Sequence, residues 1–143
     1  MSAFVVIDSS IALKLLLQEH DSAQATELLD RWRWASVLPA APFLLPIEVT
    51  NALYQHVKKD EVSFEQAVRL LDRLLSTGIE LVARPNLHHR ALEIAAQFKQ
   101  GAVYDAHYLA LAEALDCEMW TADARFFRAM RGEFGQVRLL GEA

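Results

Sequence analysis

The sequence has few of the residues that mark disulfide scaffolds, disordered chains or membrane proteins. Its 143 residues include one Cys, five Gly and four Pro, whereas apolar types make up 53%. A single cysteine forms no intramolecular disulfide, which is consistent with a reducing compartment. No apolar run approaches the roughly 18 residues of a membrane span, and no secretory signal opens the chain. We therefore expect one soluble, cytoplasmic domain over residues 1–143, within the usual size of single domains.

The chain also lacks an excess of positive charge. It carries 14 Lys and Arg residues against 19 Asp and Glu residues, a formal net charge of −5. A net negative charge does not attract polyphosphate, so binding to nucleic acid would require a local basic patch or a metal ion. Composition alone therefore argues against a nucleic-acid protein, and the argument has to be tested on individual sites.

The hydrophobic pattern predicts strands that alternate with helices. We expect strands at residues 3–7, 36–40, 79–83, 118–121 and 137–140. We expect a first helix, capped by Ser9 or Ser10, that extends through Leu17, and further helices at residues 22–34, 43–59, 62–76, 86–99, 103–115 and 124–130. Pro46 should lie near the first turn of the third helix. This alternation is typical of an α/β domain with a parallel sheet.

Four carboxylates lie at the ends of these elements. Asp8 and Asp123 follow predicted strands, at the sheet edge where open α/β folds bind ligands. Asp105 and Glu48 lie in the first turns of predicted helices. Each acid alone could be a helix cap or a partner of the helix dipole. Together, partly buried acids in one site repel each other and require a cation.

The nature of that cation follows from the ligand types. Lys14 and Arg125 are the only basic residues close in sequence to these acids. A set of Asp, Glu, Ser and Thr oxygens suits Mg²⁺ or Mn²⁺ better than zinc. Such an ion polarises a phosphoryl oxygen and lowers the pKa of its bound water, which permits hydrolysis without a side-chain nucleophile.

Four segments around these acids have a familiar order and spacing. They are V-V-I-D-S-S at 5–10, E-V-T-N-A-L at 48–53, Y-D-A-H-Y-L-A-L-A-E at 104–113 and W-T-A-D-A-R-F at 120–126. The set resembles the PIN-domain ribonucleases, and more closely the toxins of VapBC-type toxin–antitoxin pairs. The resemblance implies a three-layer α/β/α sandwich whose parallel sheet of about five strands has the order 3-2-1-4-5. That order makes the first and fourth strands neighbours.

The resemblance also implies roles for individual residues. In the family an acidic quartet binds Mg²⁺ or Mn²⁺, a hydroxyl residue stands two after the first Asp, and a Thr opens a T-A-D segment. The matching residues here are Asp8, Glu48, Asp105 and Asp123 for the quartet, Ser10 for the hydroxyl residue and Thr121 for the threonine. The family further implies a homodimer and a small antitoxin partner that blocks the site. His107 matches no family residue with a role.

The resulting hypothesis is metal-dependent hydrolysis of RNA phosphodiesters. The four acids would hold one or two ions, a bound water would be the nucleophile, and a carboxylate could act as base. Candidate phosphate contacts are Lys14, Arg84, Lys99, Arg125, Arg128 and Arg131.

Other conspicuous residues have structural explanations. His88 and His89 are adjacent, so they point to different helix faces and form no two-ligand site. Cys117 is expected to be a small buried residue. Trp32 and Trp34 could stack on bases, but we favour a protein interface. The apolar faces of helices 22–34 and 62–75 either line a groove for a partner helix or pack within the domain.

Two alternatives remain open. Asp8 could serve a phosphatase or a phosphotransfer domain, although the phosphatase pattern wants a second acid where Ser10 stands. A receiver domain wants its acceptor Asp after the third strand, where Arg84 and Pro85 stand. The other alternative is a PIN-like binding module without catalytic activity, which would leave the clustered acids without a reason.

Overall fold

The structure, a computed structural model, describes residues 3–142 and confirms the α/β class. Five strands alternate with seven helices in this part of the chain. In chain order they are β1 Phe4–Ile7, α1 Ser9–Leu16, α2 Ser22–Trp34, β2 Leu38–Ala41, α3 Leu44–Lys58, α4 Phe64–Ser76, β3 Glu80–Leu81, α5 Leu87–Gln97, α6 Tyr104–Leu115, β4 Met119–Thr121, α7 Ala124–Met130 and β5 Val137–Leu139.

The sheet has the order β3-β2-β1-β4-β5, and every neighbouring pair is parallel. β1 is therefore central, with Val6 opposite Ala40 on β2 and opposite Met119 on β4. The Asp8 amide donates to the Trp120 carbonyl (3.2 Å), which brings the carboxyl ends of β1 and β4 side by side. The expected sheet order is confirmed.

Side chains from β1 reach two separate apolar clusters, one on each face of the sheet. Val6 packs into the larger cluster with residues of α3, α5 and α6, whereas Val5 and Ile7 pack into the smaller one with α1 and α2. Because successive strand residues point to opposite faces, a strand covered by helices on both sides must be apolar throughout. This explains the uninterrupted apolar run of β1 and gives the fold its three layers.

Several element ends differ from the sequence expectations. α1 is capped by Asp8, whose side chain accepts a hydrogen bond from the Ile11 amide, rather than by Ser9 or Ser10. β3 pairs over Glu80–Leu81 only, shorter than the expected residues 79–83, because it lies at the sheet edge. Pro46 lies in the first turn of α3, where a missing N–H breaks no helical hydrogen bond.

Two tryptophans expected at a protein interface have different environments. Trp32 is 8% exposed and meets Trp120 edge to face, with ring centroids 6.0 Å apart. The interface interpretation of Trp32 was therefore wrong, because α2 packs this side chain against the sheet. Trp34 is two residues further along α2, which places it on the opposite face of the helix, and it is 93% exposed.

The amphipathic faces of α2 and α4 also differ from each other. Leu28 of α2 is buried in the domain's own core, as are Ala67 and Leu74 of α4. Phe64 and Leu75 at the two ends of α4 remain 68% and 60% exposed. Within residues 3–142, no helix combines the length and apolar character needed to cross a membrane.

Candidate active site

Asp8 is the most buried of the four candidate acids. Its side chain is 3% exposed, and its Oδ1 accepts hydrogen bonds from the Ser10 hydroxyl (2.5 Å) and the Ile11 amide (3.1 Å). Burial raises the pKa of this carboxyl from 3.8 to about 6, although hydrogen bonds from Ser10, Thr121 and Ile11 favour the charged form. The charge on Asp105 adds to the rise. Asp8 is therefore a desolvated carboxylate held in one orientation.

Ser10 and Thr121 connect the ends of β1 and β4. Ser10 donates to Asp8, and the same hydroxyl oxygen accepts a hydrogen bond from the Ala122 amide (2.8 Å). The Thr121 hydroxyl lies 3.4 Å from Ser10 Oγ and accepts from the Asp123 amide (3.0 Å). Both residues thus position the two aspartates that follow the central strands.

Asp123 is exposed and caps α7. Its Oδ1 accepts hydrogen bonds from the amides of Arg125 (3.0 Å) and Phe126 (3.1 Å), which leaves Oδ2 outside the cap. The other two acids come from helices that begin at the same sheet edge. Asp105 lies in the first turn of α6, and Glu48 lies near the start of α3.

The pKa of Asp105 shows how close these acids are. Partial burial, together with the neighbouring charges of Glu48 and Asp123, raises this pKa from 3.8 to about 6. Asp105 in turn contributes to the raised pKa of Asp8. The four acids predicted from sequence therefore act on one another, with Asp105 as the common neighbour.

A cavity of about 580 Å³, here called the acidic cleft, lies beside these carboxylates. Three acids line it, namely Glu48, Asp105 and Asp123, whereas Asp8 lies buried beneath. Lys99, Arg125 and Tyr104 also line the cleft.

The cleft separates the candidate basic residues into two groups. Lys99 and Arg125 are exposed beside the acids, as a phosphate-binding role requires. Lys14 does not line the cleft, because it lies in the last turn of α1, away from the end that carries Asp8. Arg84, Arg128 and Arg131 do not line it either.

Tyr108 is a site residue that the sequence analysis missed. Its side chain is fully buried on α6, and its hydroxyl donates to Glu48 Oε1 at 2.6 Å. Burial, the hydrogen bond to Glu48 and the charge on Glu48 all raise the pKa of this phenol above its usual range. The sequence signal was weak, because an aromatic residue inside an apolar helix usually indicates core packing alone.

The donor set fits a hard divalent cation. Among residues 3–142, none of the ion pairs includes Asp8, Glu48, Asp105 or Asp123, so their mutual repulsion is not relieved by a basic side chain. The same residues contain no ready-made cage of three or more His, Cys, Asp or Glu ligands. Mg²⁺ needs no such cage, because it keeps several waters and binds through one or two carboxylates and substrate phosphates.

No histidine is among the described residues that line the acidic cleft. His88 Nδ1 and His107 Nε2 are 2.9 Å apart, and His107 Nδ1 lies 3.0 Å from the Val103 carbonyl oxygen. Together with the ion pair between Arg90 and Glu113, this contact joins α5 to α6. Cys117 is buried in the larger apolar cluster, as expected.

Comparison with known proteins relates this site to a family. The family model of the PIN domain matches residues 6–131, which include all four acids. The chain is 31% identical over 121 residues to VapC ribonuclease Mb0985 of Mycobacterium bovis, covering 85% of this chain and 87% of that protein.

Solved structures have the same fold. PAE2754 from Pyrobaculum aerophilum superposes with a TM-score of 0.70 at 23% identity, over 94% of this chain and 91% of that one. A toxin–antitoxin complex from Klebsiella pneumoniae contains a chain that superposes with a TM-score of 0.68 at 19% identity, over 97% and 99% of the two chains. Because the PIN domain model matches residues 6–131 and a relative is 31% identical over 85% of the chain, the chain belongs to the PIN domain family.

Proposed function

We propose that this protein is a metal-dependent endoribonuclease, the toxin of a toxin–antitoxin pair, and that Asp8, Glu48, Asp105 and Asp123 hold Mg²⁺ or Mn²⁺. One observation carries the proposal: acids from four separate elements converge at the carboxyl edge of the sheet without a basic partner among the described residues. The 31% identity to a protein named VapC ribonuclease supports the same chemistry.

The bound ion would polarise the scissile phosphate and lower the pKa of a water molecule that attacks it. The protein's own residues prepare the site. Ser10 and the Ile11 amide orient Asp8, and the α7 amides orient Asp123 through one oxygen. In the metal-free protein the raised pKa of Asp105 makes its carboxylate able to accept a proton near neutral pH.

The basic residues of the cleft supply the electrostatic attraction that the net charge of −5 does not. Lys99 and Arg125, which line the cleft, would contact substrate phosphates, while the acids hold the ion. This arrangement resolves the objection raised by the acidic composition, since the charge near the substrate differs from the charge of the whole chain.

The remaining proposals concern partners and location. The superposition with a chain from a toxin–antitoxin complex supports a small antitoxin as partner. We further propose a homodimer, a cytoplasmic location and a single domain over residues 1–143, as the family resemblance and the composition suggest.

The alternatives fit the site less well. A phosphatase or phosphotransfer domain needs Asp8 as an exposed nucleophile, yet this side chain is 3% exposed with Oδ1 held by Ser10 and Ile11. A binding module without catalytic activity predicts that Mg²⁺ and Mn²⁺ leave the unfolding temperature unchanged, because an ion that does not bind the folded state cannot stabilise it.

The deciding experiment measures cleavage of a fluorescently labelled RNA in Mg²⁺ or Mn²⁺. Asp8→Asn and Asp105→Asn should each remove nearly all activity, and chelation with EDTA should do the same to the parent protein. Asp72→Asn, an exposed site on α4, is the matched control and should cleave like the parent. Folded Asp8→Asn and Asp105→Asn variants that cleave RNA at the parent rate would overturn the proposal.

A further inference from the structure

The buried phenol of Tyr108 links α3 and α6, two of the helices that carry the acids. Tyr108 lies one turn after Asp105 on α6, and its hydroxyl donates to Glu48 of α3 at 2.6 Å. Ser9, at the start of α1, lies near enough to the phenol to affect its pKa in the opposite direction from Glu48. The hydroxyl therefore lies where the N-terminal parts of α1, α3 and α6 come together.

The hydrogen bond has a fixed direction. The Tyr108 hydroxyl is the donor and Glu48 Oε1 the acceptor, because an ionised carboxylate has no proton to donate. A protonated phenol next to a carboxylate donates its only proton to that carboxylate. The bond occupies Oε1 of Glu48 and leaves Oε2 for the acidic cleft, which Glu48 lines.

The link matters because the Glu48 side chain has no other hydrogen bond among the described contacts. A glutamate has three rotatable side-chain bonds, and an unrestrained carboxylate spreads over several rotamers. Asp8 and Asp123, by contrast, are each fixed by two hydrogen bonds close to their own backbone. Glu48 depends on a residue 60 positions away for the same restraint.

We propose that Tyr108 is a positioning residue, which fixes the Glu48 carboxylate for binding of the divalent ion through a hydrogen bond to Oε1. The inference rests on the proposed function and deepens it. Because α6 carries both Asp105 and Tyr108, a single rigid helix then sets the position of Asp105 and of Glu48 relative to each other. Removing a partner that orients a metal-binding carboxylate commonly weakens metal binding by roughly 10- to 100-fold.

The test is Mn²⁺ binding measured by isothermal titration calorimetry on the full chain, without RNA. Tyr108→Phe keeps the ring in the core and removes only the hydroxyl, so we expect the dissociation constant for Mn²⁺ to rise by about 10- to 100-fold. Tyr54→Phe is the matched control, because Tyr54 is 57% exposed on the same helix as Glu48, and it should bind Mn²⁺ like the parent. A Tyr108→Phe protein with the parent's Mn²⁺ affinity would overturn the inference.

A double-mutant cycle separates positioning from a general structural effect. If Tyr108 acts through Glu48, Tyr108→Phe should weaken Mn²⁺ binding in the parent but produce little further change in the Glu48→Gln protein. Equal losses in both backgrounds would show that the hydroxyl acts elsewhere and would also overturn the inference.

A second pair of variants covers the case in which Tyr108→Phe does not fold. Glu48→Gln keeps an acceptor for the phenol, whereas Glu48→Ala leaves a buried hydroxyl without that partner. We expect the alanine variant to unfold at a lower temperature than the glutamine variant, and equal unfolding temperatures would contradict the proposed bond. Failure of the nuclease proposal is distinct, since it would appear as cleavage by Asp105→Asn, whatever the behaviour of Tyr108→Phe.

Discussion

Replacing Asp8 by Asn should make the metal-free protein more stable at alkaline pH. Asp8 is 3% exposed and has no basic partner among the described ion pairs, so its negative charge is held in a poorly solvated position. Asn is similar in size and keeps an oxygen that can accept from Ser10 and Ile11. The substitution therefore removes the charge and retains the helix cap of α1.

The magnitude follows from the pKa of Asp8. A rise from 3.8 in the unfolded chain to about 6 in the folded protein corresponds to about 3 kcal/mol of lost stability once the group is ionised. The folded state favours the protonated carboxyl of Asp8. The stability that goes with this protonated form is fully present below pH 3.8 and is lost as the pH rises through about 6. The Asn variant should thus exceed the parent by about 3 kcal/mol at pH 8 and by less than about 1 kcal/mol at pH 4.

The assay is urea unfolding in EDTA, followed by circular dichroism at both pH values. In a separate thermal unfolding experiment at pH 8, the same difference in stability corresponds to a rise in unfolding temperature of roughly 6–12 °C. Asp72→Asn, with its exposed carboxylate, should match the parent at either pH. An Asp8→Asn protein that is less stable than the parent at pH 8, or equally more stable at both pH values, would refute the argument that Asp8 is a desolvated charge.

Three further predictions concern the metal and its surroundings. Mn²⁺ at about 100 times its dissociation constant should stabilise the parent by about 2.7 kcal/mol in thermal unfolding, and an equal gain by Asp105→Asn would contradict the assigned ligand. Removing both basic side chains of the cleft, by Lys99→Ala and Arg125→Ala, should weaken RNA binding measured by fluorescence anisotropy. The slope of the logarithm of the binding constant against the logarithm of the salt concentration should become shallower by about 1–2, whereas Arg128→Ala should leave this slope unchanged. Ser10→Ala should destabilise the protein by about 1–3 kcal/mol in urea, because the Ala122 amide loses its acceptor, and parent-like stability would contradict that bond.

Most of the fold could be predicted from the sequence because its patterns are strong. The apolar run before Asp8 marked a strand covered on both faces, and the structure places it at the centre of the sheet. The bounds of α2 and α7 were predicted to the residue. The end of β3 could not be, because pairing at a sheet edge depends on how far the neighbouring strand extends.

The sequence was enough to predict the acids of the candidate site, but not the hydrogen bond that orients Glu48. Asp8 and Asp105 could be identified because polar residues at the ends of apolar elements stand out in a sequence. Tyr108 could not, because its partner Glu48 is 60 positions away and only the folded chain brings the two side chains together. Trp32 was misassigned for a related reason. Its neighbours in sequence are arginines, which suggests an exposed position, and only the packing of α2 on the sheet shows that its side chain is buried.

The position of β4 between β1 and β5 has a consequence for the order in which the protein acquires its site during synthesis. β1 is translated before the other strands, whereas its second neighbour, β4, and Asp123 beyond it are translated only after β2, β3 and the helices that follow them. Until then Ser10 lacks the Ala122 amide, and Asp8 lacks the adjoining strand that holds it in place. A nascent chain of this topology is therefore incomplete at its acidic centre until β4 and Asp123 have been translated.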